Sequence, residues 1–157
     1  SNGEALYYLG LLTFAGFGTE ASPQAAFALQ QSAAALGNAD AMFETYVQLQ
    51  GGLGITQDEE AAFEANRRAA EAGHDRALYN MGAFFATGRH VGRDLAQAAA
   101  WYERAADAGS VRALATLAAM YATGDGVPKD TERANQLFDQ ADYLGFDVTH
   151  LREAVGL

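Results

Sequence analysis

The chain has 157 residues, half of them apolar, enough to bury a sizeable core. Twenty acidic against ten basic residues give a net charge of -10, which repels phosphate backbones and anionic lipid surfaces and excludes nucleic acid as the expected partner. The absence of cysteine excludes disulfides and thiolate metal sites, and no apolar run approaches the roughly 20 residues that cross a bilayer.

Compared with itself, the sequence repeats at an offset of 36 residues without a gap. Ala5, Ala41, Ala77 and Ala113 share a column, as do Gly16, Gly52, Gly88 and Gly124, and further columns start at Ala26, Ala33 and Gly37. The rows run over about 5–40, 41–76, 77–112 and 113–146 of a single domain, with a tail over 147–157. The first row begins a helix at once, rich in Tyr7, Tyr8, Leu11, Leu12 and Phe14, while "SNGEALYYLG" lacks the basic start of a secretory signal. Ser1-Asn2 reads as an expression scar on a segment excised from something larger. In the second and third rows Phe43 and Tyr79 take the place of Tyr7. The fourth row shows the helical spacing in full. Ala113, Leu114, Leu117, Ala118 and Tyr121 recur at three and four, predicting a first helix of about 11 or 12 residues that stops at Gly124. Ala134, Leu137, Phe138 and Ala141 predict a second helix, closed by Gly145, a residue suited to the left-handed position after a helix end. Each row is thus a helical hairpin, and one hairpin buries both of its apolar faces only against a neighbour. The expected fold is all-α: an α-solenoid superhelix of four 36-residue helix-turn-helix repeats plus a short C-terminal capping helix. In that cap Asp147 or Thr149 starts a helix whose Val148, Leu151, Val155 and Leu157 cover the last hairpin, as at a true C-terminus.

The four inter-helix loops read "AGFGTEAS", "GGLGITQD", "TGRHVGRD" and "TGDGVPKD". Asp125 of the last shares its column with Phe17, Leu53 and Arg89, so no carboxylate recurs there to hold a cation. Asp130 aligns with Ser22, Asp58 and Asp94, all side chains that accept the free amides at a helix start. A phosphate loop would also need a preceding strand. The loop is expected to be a turn followed by a cap.

Ala113, Leu117, Tyr121, "GDGVPKD" and Ala134, with Asp94, Ala98, Trp101, Ala105, Ala106 and Gly109 of "DLAQAAAWYERAADAG", resemble the Sel-one-like repeat, a relative of the tetratricopeptide repeat. The resemblance covers four rows, from Ala5 to about Gly145. It departs at the loop valine, present at Val91 and Val127 but Ile55 and Thr19 elsewhere, and at Thr13, which stands in place of the first-helix tyrosine that the fourth row has at Tyr121. It implies a right-handed superhelix whose first helices line a concave face. It also implies a non-catalytic adaptor for a protein or peptide, in a bacterial envelope, secretion or signalling system. The chain is expected to be soluble, periplasmic or cytoplasmic, with the compartment undetermined and no membrane insertion. Some secreted relatives staple each hairpin with a disulfide, which this chain lacks the cysteines to do.

Carried over from the related repeat, the partner-facing positions are Tyr7, Phe43, Tyr79 and Ala115, then Leu11 and Val47 one turn on, with Tyr8, Phe14, Gln50 and Asn80 beside them. Two readings of the aromatic column stay open: a row of anchors for a ligand, or packing between adjacent first helices. Trp101 is expected in the core and the adjacent Tyr102 partly exposed. Arg89, Arg93, Arg104 and Arg112 form a basic island in an acidic chain, facing a carboxylate-bearing partner or simply water. His74, His90 and His150 are too far apart for a helical ligand pair, and no nucleophile sits beside a base, so no catalytic residue, metal or cofactor is expected. Two alternatives remain: an envelope hydrolase acting on peptidoglycan or a lactam, implied only by the wider family, and a structural spacer that self-associates through the uncapped first row.

Overall fold

The structure, a computed structural model, describes residues 2–18 and 20–157. The readings of Ser1 as part of a scar and of Thr19 in the loop-valine column lie outside the described residues. The described residues form helices and connecting turns without a strand. In order these are α1 (Asn2–Ala15), α2 (Pro23–Ala35), α3 (Ala39–Gly51), α4 (Glu59–Glu71), α5 (Asp75–Thr87), α6 (Leu95–Asp107), α7 (Val111–Thr123), α8 (Thr131–Tyr143) and α9 (Thr149–Val155). The chain divides into two compact units, Ser1–Ala77 and Leu78–Leu157, with the division inside α5.

In the first unit α1 pairs with α2, α3 pairs with α4, and α2 packs on α3. In the second, α7 pairs with α8, α6 packs on α7, and α9 rests against α7. These are hairpins of the α-solenoid kind, with a short helix at the C-terminal end. The predicted columns explain the close packing. Ala26, Ala62, Ala98 and Ala134, then Ala33, Ala69, Ala105 and Ala141, are all buried, and alanines at a helix contact let the axes approach to the low end of about 8–10 Å. Ala41, Ala77 and Ala113 are buried too, whereas Ala5 is exposed.

The loops are turns followed by caps. The side chains of Ser22, Asp58, Asp94 and Asp130 accept the backbone amides of Ala25, Ala61, Gln97 and Arg133 at 2.9 to 3.3 Å. Each capping residue also donates its own amide to a carbonyl nine residues back, on Thr13, Leu49, Phe85 and Tyr121, at 2.9 to 3.1 Å. Asp125 accepts a hydrogen bond from the Thr123 hydroxyl at 2.8 Å, a local role. The third loop keeps its left-handed turn residue without glycine: His90 sits at φ 63° with its ring edge on Phe84.

One expectation is reversed. Tyr102, not Trp101, is the buried member of the pair, and burial pushes its phenol up to about 12. Its column, Gln30, Asn66, Tyr102 and Phe138, buries large side chains of the second helices. Room for these side chains comes from the first helix: a Cβ on Gly82 would lie 2.5 Å from the Tyr102 ring, and one on Gly10 would lie 2.7 Å from Gln30 Nε2. Trp101 is half-buried, with the Arg104 guanidinium 4.2 Å above its ring. At the C-terminal end Val148 is buried and Leu151 and Val155 half-buried, as expected, but Leu157 is exposed. Arg152 adds what hydrophobicity did not predict: it donates to Asn135 and Asp139 and lies 5.1 Å over Phe138.

Candidate functional site

The aromatic column does not form a uniform row of anchors. Phe43 is 3% exposed, stacked on His74 at 4.3 Å with the Arg76 guanidinium 4.7 Å from its ring. The ring is covered by residues of its own unit, so its role is packing. Tyr7 is half-buried against Tyr8, at 5.3 Å, and its phenol is raised first by burial and then by Asp40 and Glu44. Tyr79 is half-buried against Tyr102, with Arg112 5.5 Å over its ring, and Ala115 is buried. Gln50 and Asn80 are half-buried, and Tyr8 and Phe14 are exposed.

The remaining expected residues come together in the first unit. Leu11 and Phe14 of α1 and Val47 of α3 line a pocket of about 130 Å³, completed by Gln30, Glu44, Gln48 and Leu53. The hairpin register places it, because Leu11 and Val47 are the same column on successive first helices. Periodicity missed Gln30, Glu44, Gln48 and Leu53, though a polar residue in the otherwise apolar column of Gln48 carried a signal. Burial raises the carboxyl of Glu44 above its ordinary range, with Arg76 opposing.

The four arginines of the basic island are all exposed, and each also has a local contact. Arg93 donates to the Ala86 carbonyl at 3.1 Å, Arg104 covers Trp101 and Arg112 covers Tyr79. Arg89 has an interaction of its own. Among the described residues no group of three or more histidines and carboxylates is placed to hold a metal, and no helix is long and apolar enough to cross a membrane.

Two further hollows follow from the repeat itself. Gln31, Ala34, Met42, Thr45, Ala65 and Arg68 line about 250 Å³ between α2 and α4 over α3. In the second unit the residues 72 positions on, Glu103, Ala106, Leu114, Leu117, Leu137 and Gln140, line about 230 Å³ together with Asp107, Tyr121 and Arg133. The same backbone groove thus carries different side chains.

His74 has a role that ligand spacing could not reveal. Its Nδ1 accepts the Ala77 amide at 3.3 Å, the capping bond that Asn38 makes to Ala41 at 2.8 Å one repeat earlier. The proton is therefore on Nε2, 3.5 Å from Asp40. Burial is the first cause holding this histidine below its ordinary pKa of 6.5, while Asp75 and Asp40 pull upward and Arg76 adds to the lowering. A depressed folded-state pKa gives stability that is complete above the unfolded value and lost as pH falls through the folded one. His74→Asn keeps a capping acceptor and removes the titration. Between about pH 7.5 and about pH 5.5 the melting temperature of the parent should fall further than that of His74→Asn. Glu44 titrates with the opposite sign at more acid pH in both proteins, and equal falls would assign the dependence to other groups.

The Sel1 repeat family model matches residues 3–38, 46–74, 75–110 and 111–145. Among solved structures the chain is similar to the Sel1 repeat protein from Oxalobacter formigenes, 32% identical with a TM-score of 0.83 over 92% of this chain and 59% of that one. It is also similar to c5321, a protective antigen present in uropathogenic Escherichia coli strains and displaying an SLR fold. That similarity is 30% identity and a TM-score of 0.82 over 92% of this chain and 31% of that one. Helicobacter pylori cysteine rich protein B is 22% identical with a TM-score of 0.60, over 75% of this chain and 90% of that one, a likeness of fold alone. The chain thus spans less than two thirds of the first two relatives. A search of curated proteins finds no match.

Proposed function

Because the chain belongs to the Sel1 repeat family, whose repeats commonly mediate protein–protein interaction, we propose that it is a non-catalytic scaffold binding a protein or peptide along its first helices, centred on α1 and α3. The observation that carries this reading is the apolar surface of α1. Tyr8 is 60% exposed, and Leu9, Leu12, Phe14 and the following Phe17 are exposed beside it. Soluble domains rarely leave so many large apolar side chains together unless something covers them. The columns of Leu9 and Leu12 are buried in the other first helices, at Thr45, Gln48, Met81, Phe84, Leu117 and Met120. A bacterial setting is supported by the bacterial sources of the similar structures, and its envelope, secretion or signalling character follows from the family resemblance alone.

The exposed columns also favour a second reading, in which α1 of one copy packs against another copy. One variant tests both. Tyr8→Ala with Phe14→Ala removes exposed surface, so the fold should be kept. A partner recovered from the native lysate and then purified should bind this variant at least about tenfold more weakly by calorimetry. Undiminished binding would move the site away from α1. A parent mass that rises with concentration, and no longer does so in the variant, would favour the self-associating spacer.

A further inference from the structure

The pocket between α1 and α3 contains an imbalance that packing does not explain. Gln30 is 1% and Gln48 4% exposed, and the carboxamide oxygen of each has no hydrogen-bond partner among the described residues. Gln30 Nε2 donates to the Tyr7 carbonyl at 3.4 Å, which fixes which end of that amide is left over. A buried acceptor without a donor is destabilising. The repeat has an apolar solution at both positions: the column of Gln30 holds Tyr102 and Phe138 in the second unit, beside Asn66 in the first, whose carboxamide is not left with an unpartnered oxygen, and the column of Gln48 holds Phe84 and Met120. Two amides at places where aromatic and aliphatic side chains pack well are therefore not required by the fold.

A third acceptor lines the same pocket. Glu44 is half-buried there, and its column otherwise holds Tyr8, Asn80 and Thr116, none of them charged at neutral pH. The lining itself includes no lysine, arginine or histidine, so an anion would meet three acceptors there, with Arg76, outside the lining, the one cation that acts on Glu44. Leu11, Phe14, Val47 and Leu53 supply apolar walls of the kind that cover the methylene stem of a long side chain. The volume of about 130 Å³ suits one side chain rather than a folded element. The unit as a whole carries ten acidic residues against three arginines, which draws a cation toward it.

From these observations we infer that the pocket of Gln30, Glu44 and Gln48 receives a lysine or arginine side chain of a protein partner. The ammonium or guanidinium donates to the two carboxamide oxygens and the carboxylate, and its stem lies along the apolar wall. The inference rests on the reading of the chain as an interaction scaffold and names the chemistry that the scaffold selects.

The test is a titration of the full chain, followed through the side-chain amide resonances of Gln30 and Gln48. The probes are N-acetyl-arginine N-methylamide, its lysine counterpart, and two uncharged analogues built on citrulline and norleucine. At least one cationic probe should shift both amides saturably and bind at least about tenfold more tightly than either uncharged analogue, a difference of about 1.4 kcal/mol. Glu44→Gln and Gln48→Met should each abolish that preference. Met120 already occupies the equivalent position to Gln48, so the second variant is expected to fold. Equal binding of the citrulline probe, or no shift with any probe because water alone satisfies the oxygens, would overturn the assignment. Tighter binding of butane-1,4-diamine than of either capped amino acid would also overturn it, by making the ligand a free polyamine. If the probes fail while a purified partner still depends on Tyr8 and Phe14, the cation pocket falls and the scaffold reading stands. If no partner depends on those residues, the scaffold reading fails whatever the probes do.

Discussion

Phe138→Ala should lower stability by about 3–5 kcal/mol, the usual range for emptying a buried phenylalanine site. The ring is 0% exposed, in the column that buries large side chains of the second helices. It also supports the C-terminal helix, because Arg152 lies over it while donating to Asn135 and Asp139. Losing the ring removes the cation–π contact, worth about 0.5–1 kcal/mol at a partly exposed site, along with the packing. For a chain of this length the melting temperature should fall by roughly 6–20 °C, read by circular dichroism. Arg152→Gln keeps the ring while removing the cation–π contact together with the guanidinium's bonds to Asn135 and Asp139, and should cost about 1 kcal/mol. A Phe138→Ala melt within about 1 kcal/mol of the parent would mean that α9 and α8 collapse into the space at little cost, against the packing described above.

Gly126→Ala should cost about 3 kcal/mol or more, for two separable reasons. Gly126 has φ 76°, a left-handed conformation that costs an L-residue roughly 1–2 kcal/mol. Its Cα also faces the start of α6, where an added Cβ would fall well inside contact distance of the Leu95 carbonyl and 2.7 Å from the Leu95 Cβ. Overpacking against backbone adds about 1–3 kcal/mol, because a carbonyl cannot swing aside as a side-chain tip can. Gly109→Ala is the control: its φ is 96°, but no heavy atom of the described residues lies within 4 Å of the added Cβ. The first variant should melt several degrees below the second. Equal melts would show that conformation alone, and not the approach of the loop to α6, demands glycine at 126.

The hairpins were legible because their determinants are local. An alanine column, a capping Asp or Ser, and a glycine after the second helix each act within one or two turns, and the 36-residue register repeats them four times. What the sequence hid depends on which face of a helix meets which neighbour. Trp101 and Tyr102 differ by one position, about 100° around the helix; the whole column of Tyr102 faces inward, and Gly82 leaves the room that its ring occupies. Phe43 looked like an anchor because its column did. His74 and Arg76, distant in sequence but adjacent in space, cover it. The loops were read as a turn followed by a cap, yet Gly54 meets Pro23 as Gly126 meets Leu95, so each of these two loops also rests on the helix start of the preceding hairpin. The candidate pocket was half legible, through Leu11, Phe14 and Val47. Its polar residues stand out only once burial shows that Gln30 and Gln48 sit where the repeats of the second unit place aromatic or aliphatic side chains.

The matched sizes within a hairpin bear on how such a chain can be inherited. Gly10 faces Gln30 and Gly82 faces Tyr102, so the first and second helices of a hairpin fit as a pair. A genetic crossover between two rows that falls inside a hairpin would join a helix to a stranger and leave either a void or a clash. A crossover at the glycines that end each hairpin, Gly37, Gly73, Gly109 or Gly145, separates no such pair and keeps the reading frame and the register. Duplication, loss and shuffling should therefore act on whole hairpins, while substitutions such as Gln30 and Gln48 diversify one copy without unsettling its siblings.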